Sequence, residues 1–286
     1  MLACCVLLKP IEMIKIKELY VYPIKSLKGI SLQQAEISET GIKYDRYWML
    51  VDENGDFITQ REIPKLALFQ VSIHAEYLTV RFENEAINIP KTLTTKEIKA
   101  CEIWEVKLNG YKESDEINNW FSALLDKKVF LVRNAELPKR GIKNYTDSFV
   151  NFTDSQQYLI FGQSSLDHLN AKLDQAIPAD RFRPNIVFSK SEAHIEDTWK
   201  EIQIGASNFI IAKPCARCII TTINQATGIA GKEPLKTLAK YRFKDNNVEF
   251  GQYLKLTNST DNLLKIGDEI TVKRTGNNVS TTTIVA

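Results

Sequence analysis

Two cysteines, Cys215 and Cys218, stand three apart in "AKPCARCIITTINQATG", with Arg217 between them. The spacing suits half a zinc site, a redox pair, or two small buried hydrophobes at the start of a strand. A structural zinc site wants four Cys or His ligands in pairs, and no second pair or nearby His accompanies this one. A redox pair sits between a strand and a helix whose dipole lowers a thiol pKa, whereas "CIITTI" has the β-branched pattern of a strand. Arg217 favours a thiolate, the form that binds metal. A single thiolate suffices if a bound group supplies the other soft donors, so a set of cofactor contacts is sought elsewhere. Lys25, Ser26 and Lys28 in "YPIKSLKG" pair point charges with a hydroxyl, a combination suited to phosphate. Arg46 in "DRYW" and Arg61 in "TQRE" flank a hairpin pattern. Arg181, Arg183 and Asn185 cluster in "RFRPN", and Asp154 and Ser155 precede an apolar stretch. An arginine among apolar residues is costly unless paired. Together the set would bind an anionic, heterocyclic ligand, with arginines for phosphate and amide and carboxylate groups for ring edges.

The elements that must hold these residues are mostly strands. "KIKELYVYPIKS", "YWMLVD", "DFITQRE", "YLTVRF", "EIWEVKLNG" and "KKVFLVRN" read as strands, and Asn54-Gly55 between two of them is a strong hairpin signal. "SDEINNWFSALLDK" places Ile117, Trp120, Phe121, Leu124 and Leu125 on one helical face, with Ser114 as cap and Asp115 and Glu116 at the positive end of the dipole. The polar run "ELPKRGIKNYTDSFVNFTDSQQ", broken by Pro138 and Gly141, reads as a crossing between domains or a loop over a site. A second helix is expected at "SSLDHLNAKLDQ", capped by Ser164. Then follow "NIVF", "WKEIQIG", "NFIIAK", "VEFGQYLKL" and "DEITVKR" as strands and "EPLKTLAKYR" as a short helix with Pro234 in its first turn. The fold class is α+β, mostly β: two β-rich domains with a few helices.

Composition narrows the partners. The 286 residues carry 37 Lys and Arg against 35 Asp and Glu, a net charge of +2, which disfavours a nucleic-acid-coating surface and leaves room for a local basic pocket. Five cysteines, an odd number in a chain this long, do not read as a disulfide framework, and a reducing, cytoplasmic setting is expected. The apolar piece Leu2–Leu8 is too short to span a bilayer and lacks a basic flank, so no membrane span is expected and Met13 is the favoured start over Met1.

The pieces "LYVYPIKSLKG", "DRYWMLVDENGDFITQRE", "FRPNIVF", "PCARCIITTI", "TGIAGKEPLKTLAKYR" and "FGQYLKL", in this order, resemble the MOSC family. The likeness is to its two-part members with an N-terminal β-barrel domain, the group of the amidoxime-reducing components and their bacterial relatives. It spans about Lys15 to Lys273. It implies an N-terminal β-barrel domain over 15–135 and a MOSC β-barrel domain over 136–286. It also implies a molybdenum cofactor, a pterin whose dithiolene holds the metal, with Cys218 as the protein's sulfur ligand. Cofactor contacts carry over to Lys25, Ser26, Arg46, Asp154, Ser155, Arg183, Asn185 and Arg217. Lys25 and Arg46 are assigned to the phosphate, Arg183 and Asn185 to the pterin or phosphate, and Asp154 to the metal's open side or the pterin ring. "SQQ" departs from the family pattern, which weakens the Ser155 assignment. The implied activity is reduction of a small N-hydroxylated substrate, amidoxime or hydroxylamine, to amidine or amine. The alternative is a carrier or sulfur-transfer protein for the same cofactor. Some relatives end in an iron–sulfur domain with clustered cysteines. Here none follows Cys218, so electrons are expected from a separate ferredoxin, flavodoxin or cytochrome.

Overall fold

The computed structural model describes residues 13–134, 139–142, 145–189 and 191–276. Met1, the rival of Met13 as the start, and the expected division at 135/136 fall outside this set. The described chain is mostly β, in two β-rich parts. None of its helices is long and apolar enough to cross a membrane.

The first part is built on the four-stranded sheet Trp48–Val51, Phe130–Asn134, Val106–Lys112 and Ile98–Ile103. A three-stranded meander, Gln70–Ile73, Tyr77–Phe82 and Glu85–Pro90, lies beside it. Helix α1 (Asp115–Leu125) closes the core. Ser114 caps it by accepting from the Ile117 N–H, and Ile117 and Phe121 are buried against Trp48, Leu50, Phe69, Val80 and Leu131. The Asn54-Gly55 turn forms as expected, with Gly55 at φ 92°. Its return arm, though, is only a bridge at Phe57 before the chain turns away, so Arg61 sits in a turn and not on a strand. "EIWEVKLNG" is likewise two strands and not one, reversing at Trp104-Glu105.

The second part is a nine-stranded sheet. Its spatial order is Ile30–Leu32, Ile16–Val21, Ile186–Phe188, Tyr158–Gly162, Asn247–Ser259, Ser207–Ala216, Trp199–Ile204 and Ile270–Thr275, with Phe243–Lys244 paired on Asn247–Ser259. Tyr158–Gly162 and Ile186–Phe188 run parallel, joined through α2 (Gln163–Asn170). Gly162, not Ser164, is the N-cap of α2; the Ser164 hydroxyl accepts from the Ser191 N–H instead. The short helix α3 (Leu235–Ala239) has Pro234 as its N-cap.

The opening strands of the chain belong to this second part: Ile16–Val21 and Ile30–Leu32 to its large sheet, and Gln34–Ser38 to a small sheet between Leu263–Lys265 and Gly41–Ile42. Leu19 pairs with Ile186, and Ala35 pairs with Leu264. Ile16, Leu19, Val21, Ala35, Ile37 and Ile42 are buried in one cluster with Tyr158, Ile160, Ile186 and Phe209. Each large aliphatic side chain buried there contributes about 1.5–3 kcal/mol, which is why the opening strand stays with distant partners. Immediately after Val21 the chain crosses to the first part. The Trp48 N–H donates to Pro23 O and the Lys25 N–H donates to Trp48 O, so the turn carrying Lys25 and Ser26 is pinned between the two cores.

Candidate active site

One cavity of about 650 Å³ opens between the two parts. Lys25, Ser26, Arg46, Asp154, Ser155, Arg183, Asn185, Arg217 and Cys218, all nine of the site residues expected above, line it. Lys28, from the same turn as Lys25, does not.

Three of the nine hold positive backbone angles: Ser26 (φ 68°), Arg46 (φ 49°) and Arg183 (φ 52°). Non-glycine residues seldom adopt this region, and they gather where a site over-determines them. Each is locked by its neighbours. Gln60 donates to Ser26 O (2.7 Å), the Arg46 N–H donates to Tyr22 O, and Arg183 caps the short turn Ala179–Phe182.

Tyr22 organises the arginines. Its ring is buried, and the guanidinium carbons of Arg46 and Arg183 each lie 4.3 Å from its centroid. Arg46 pairs with Asp45, whose other oxygen accepts from the Tyr22 N–H. Arg183 donates Nη1 to Leu27 O (2.8 Å), while its Nη2 is buried without a hydrogen-bond partner. Burial, then repulsion from Arg46, pulls the Arg183 guanidinium down to about 10. Arg217 donates to Phe182 O (2.6 Å) and to the Cys215 sulfur (2.7 Å), and its Nε is buried without a partner.

Asp154 lies on the loop after the hairpin Arg140–Ile142/Tyr145–Val150, in the segment expected either to cross between domains or to cover a site. Its carboxylate pairs with the buried Lys25 and, at 3.4 Å, with Arg61. Burial alone would raise the Asp154 carboxyl, but Lys25, then Arg61 and Arg46, hold it well below the usual carboxylate range. Burial lowers the Lys25 ammonium, against the attraction of Asp154. Lys25 also donates to Phe152 O (2.9 Å).

Asn185 spends its side chain on the scaffold. Its Oδ1 accepts from the Leu159 N–H and its Nδ2 donates to Tyr20 O (3.3 Å), tying adjacent strands. Arg181 is also structural: it donates to Thr221 O (2.9 Å) and Glu233 O (3.1 Å), bracing the turn that follows Cys218.

That turn corrects the strand expected at "CIITTI". Cys218 caps a single turn of 3₁₀ helix, Ile219–Thr222, just beyond the strand Ser207–Ala216. The two cysteines occupy different surroundings. Cys215 is buried, whereas Cys218 is a half-buried free thiol. Arg61 approaches the Cys218 sulfur at 3.5 Å from the first part of the molecule. Arg61, Trp104, Gln156 and Tyr253 are among the other residues of the lining. Of these only Arg61 stood out in the sequence, through the charge in "TQRE"; an alternating strand gives no sign of which face Tyr253 presents.

Among the described residues, no three His, Cys, Asp or Glu side chains gather as metal ligands, so a metal at Cys218 needs further donors from a bound group. The cavity suits an anionic one. Its cations are Lys25, Arg46, Arg61, Arg183, Lys213 and Arg217, against the carboxylates Asp154 and Glu249. The orphaned Arg183 Nη2 and Arg217 Nε are buried donors that an anion would satisfy, and the buried Gln156 Oε1 is an acceptor for a ring N–H. The residues present thus fit a phosphate-bearing heterocycle.

Fold and site define a two-part MOSC protein. The MOSC N-terminal beta barrel domain matches residues 13–128 and the MOSC domain matches 147–271, and the chain belongs to this family, one associated with the molybdenum cofactor. It is 29% identical to the human mitochondrial amidoxime-reducing component 1 over 277 residues, covering 89% of this chain and 82% of that one. It is 31% identical to the rat mitochondrial amidoxime reducing component 2 over 279 residues, with the same coverage. It is also 31% identical to the molybdenum cofactor sulfurase of Oryza sativa over 268 residues, which is 85% of this chain but only 32% of the sulfurase.

Proposed function

We propose that the protein is a reductase of small N-hydroxylated compounds, with the molybdenum cofactor in this cavity and Cys218 as the metal's protein ligand. The observation that carries the reading is a half-buried thiol facing a cavity whose buried arginine donors lack partners. When bound, the group supplies a two-electron centre that accepts oxygen from an N–O bond.

The chain's own residues bind, orient and hold charge. Arg46 and Arg183, fixed on Tyr22, and Lys25 offer the phosphate a rigid set of donors. Ser26 and Ser155 add hydroxyls at the wall, Arg217 Nε would donate to the bound group, and Asn185 keeps the strands beneath them in register. Arg61 sets a guanidinium 3.5 Å from the Cys218 sulfur, the soft donor that would ligate the metal. Conversion of N–OH to N–H and water consumes two electrons and two protons. Asp154 is kept ionised at neutral pH, so it serves as a hydrogen-bond acceptor for the substrate's N–H or O–H and not as the acid. The electrons come from a separate donor protein.

The test is turnover of benzamidoxime by cofactor-loaded protein with a chemical electron donor. Cys218→Ser should abolish it and change the metal's absorption spectrum, while Cys215→Ser should retain most of it. An active Cys218→Ser variant refutes the assignment. The matched sulfurase motivates the rival carrier reading, which would be supported by transfer of intact cofactor to an acceptor apoprotein in the absence of turnover by the wild type.

A further inference from the structure

Trp104 breaks the local rules of its position. It is the first of two residues joining Ile98–Ile103 to Val106–Lys112, since Ile103 pairs directly with Val106. Its φ is 56°. Two-residue hairpin loops with positive φ are ordinarily filled by Gly, Asn or Asp, and a bulky side chain there is an outlier. Burial does not compensate, because 51% of the residue's surface remains accessible. A large apolar ring in strained backbone, left half in solvent, is the kind of outlier from which a functional role is inferred.

The ring is nevertheless held in place. Phe57 meets it edge-on, with centroids 5.3 Å apart and planes at 62°. The Arg61 guanidinium carbon lies 4.9 Å from its centroid. Trp104 lines the same cavity as Cys218 and Asp154, and Arg61, which braces it, contacts both of those groups. The indole is therefore one end of a short relay of contacts whose other end is the thiol.

We propose that Trp104 is a specificity-determining residue, a platform for the planar, conjugated part of an aryl or heteroaryl N-hydroxylated substrate whose N–O end points toward Cys218 and Asp154. The inference rests on the reductase reading for its substrate class, and on the geometry of Trp104 for the platform. Stacking on a fixed indole favours flat aromatic groups over small alkyl ones.

Isothermal titration of cofactor-loaded protein with benzamidoxime and with acetamidoxime tests it, and the quantity read is the affinity ratio of the two. Wild type should prefer benzamidoxime. Trp104→Ala should lower the ratio by about two- to tenfold, the range expected of one aromatic pair, and Trp104→Phe should restore most of it. Molybdenum per chain should be unchanged in both variants. No preference in the wild type, equal weakening of both ligands, or loss of molybdenum from Trp104→Ala would overturn the proposal in favour of a structural role. Turnover keeps the two ideas apart. If the wild type shows the binding preference but reduces neither compound, the reductase reading fails and the platform stands. If it reduces both and the ratio ignores Trp104, the platform fails and the reductase stands.

Discussion

Arg183→Gln should leave the cofactor-free protein about as stable as the wild type, or more so, while weakening its hold on the cofactor. Arg46 and Arg183 flank one tyrosine with their guanidinium carbons 4.3 Å from its centroid, so the two charges are no more than twice that distance apart. At an effective dielectric of about 20, unit charges that close repel by at least ~2 kcal/mol. The lowering of Arg183 to about 10 has burial as its main cause and Arg46 as its second. Removing the charge relieves that repulsion. It also forfeits a cation–π contact of roughly 0.5–1 kcal/mol and weakens a hydrogen bond to Leu27 O, worth about another 1 kcal/mol. The net change lies between about zero and a gain of ~0.5 kcal/mol, a rise in Tm of up to ~1–2 °C. With cofactor present the sign reverses, because the unpartnered Nη2 is a charge-assisted donor worth roughly 1.5–3 kcal/mol, or about ten- to a hundredfold in affinity. Scanning fluorimetry on protein made without pterin synthesis, and molybdenum per chain after gel filtration of loaded protein, read the two halves. A fall in cofactor-free Tm of more than ~6 °C with unchanged molybdenum content would show that the arginine pair is scaffold and refute the argument.

Gly29→Ala should cost about 1–3 kcal/mol and reduce molybdenum content together. Its Cβ would lie 2.3 Å from the Tyr22 ring, which is buried and held by both arginines, so the ring cannot yield without moving them. Scanning fluorimetry and metal analysis on one sample check this. Glu196→Gln should stabilise the protein at pH 8 and lose that advantage by pH 5. Glu196, fully buried in the 3₁₀ turn Ile195–Thr198, accepts from the Gly162 N–H and the Ser165 hydroxyl at the start of α2, and burial pushes its carboxyl up to about 7. The folded state therefore holds a proton that the unfolded state releases near 4.5, and stability falls as pH rises between those values, by up to ~3 kcal/mol. Urea midpoints at the two pH values give the answer; equal effects at both would refute it.

Much of the fold is readable locally. The face of α1, the cap at Ser114 and the Asn54-Gly55 turn are set by neighbours in sequence, and they form as spacing and turn chemistry dictate. What escaped depends on distant contacts or on strained backbone. No spacing rule shows that Ile16–Val21 pairs with Ile186–Phe188, because neither IKELYV nor IVF carries a feature that names its partner. The reversal at Trp104-Glu105 carries no glycine or asparagine to mark it. "CIITTI" has the composition of a strand, yet it forms a tight turn whose Thr221 carbonyl is held by Arg181. The basic residues around the cavity could be listed from sequence as suited to an anion. Only coordinates distinguish Arg181, which braces backbone, from Arg183, which keeps a free donor, or show that the Asn185 amide is spent between strands.

The partnership of the opening strand with the far end of the chain has a consequence for biosynthesis. During translation the first part can complete its meander, hairpin and α1 from near neighbours. Ile16–Val21, however, has only the short strand Ile30–Leu32 beside it until Ile186–Phe188 has emerged, and Gln34–Ser38, paired nearby only with Gly41–Ile42, waits longer still for Leu263–Lys265. Contacts of such separation form slowly, and open strand edges invite wrong partners meanwhile. Expressing the two halves as separate polypeptides would strip the larger sheet of two strands and its core of six side chains. The halves should then recover the fold only by recombining, as complementing fragments of a single folding unit.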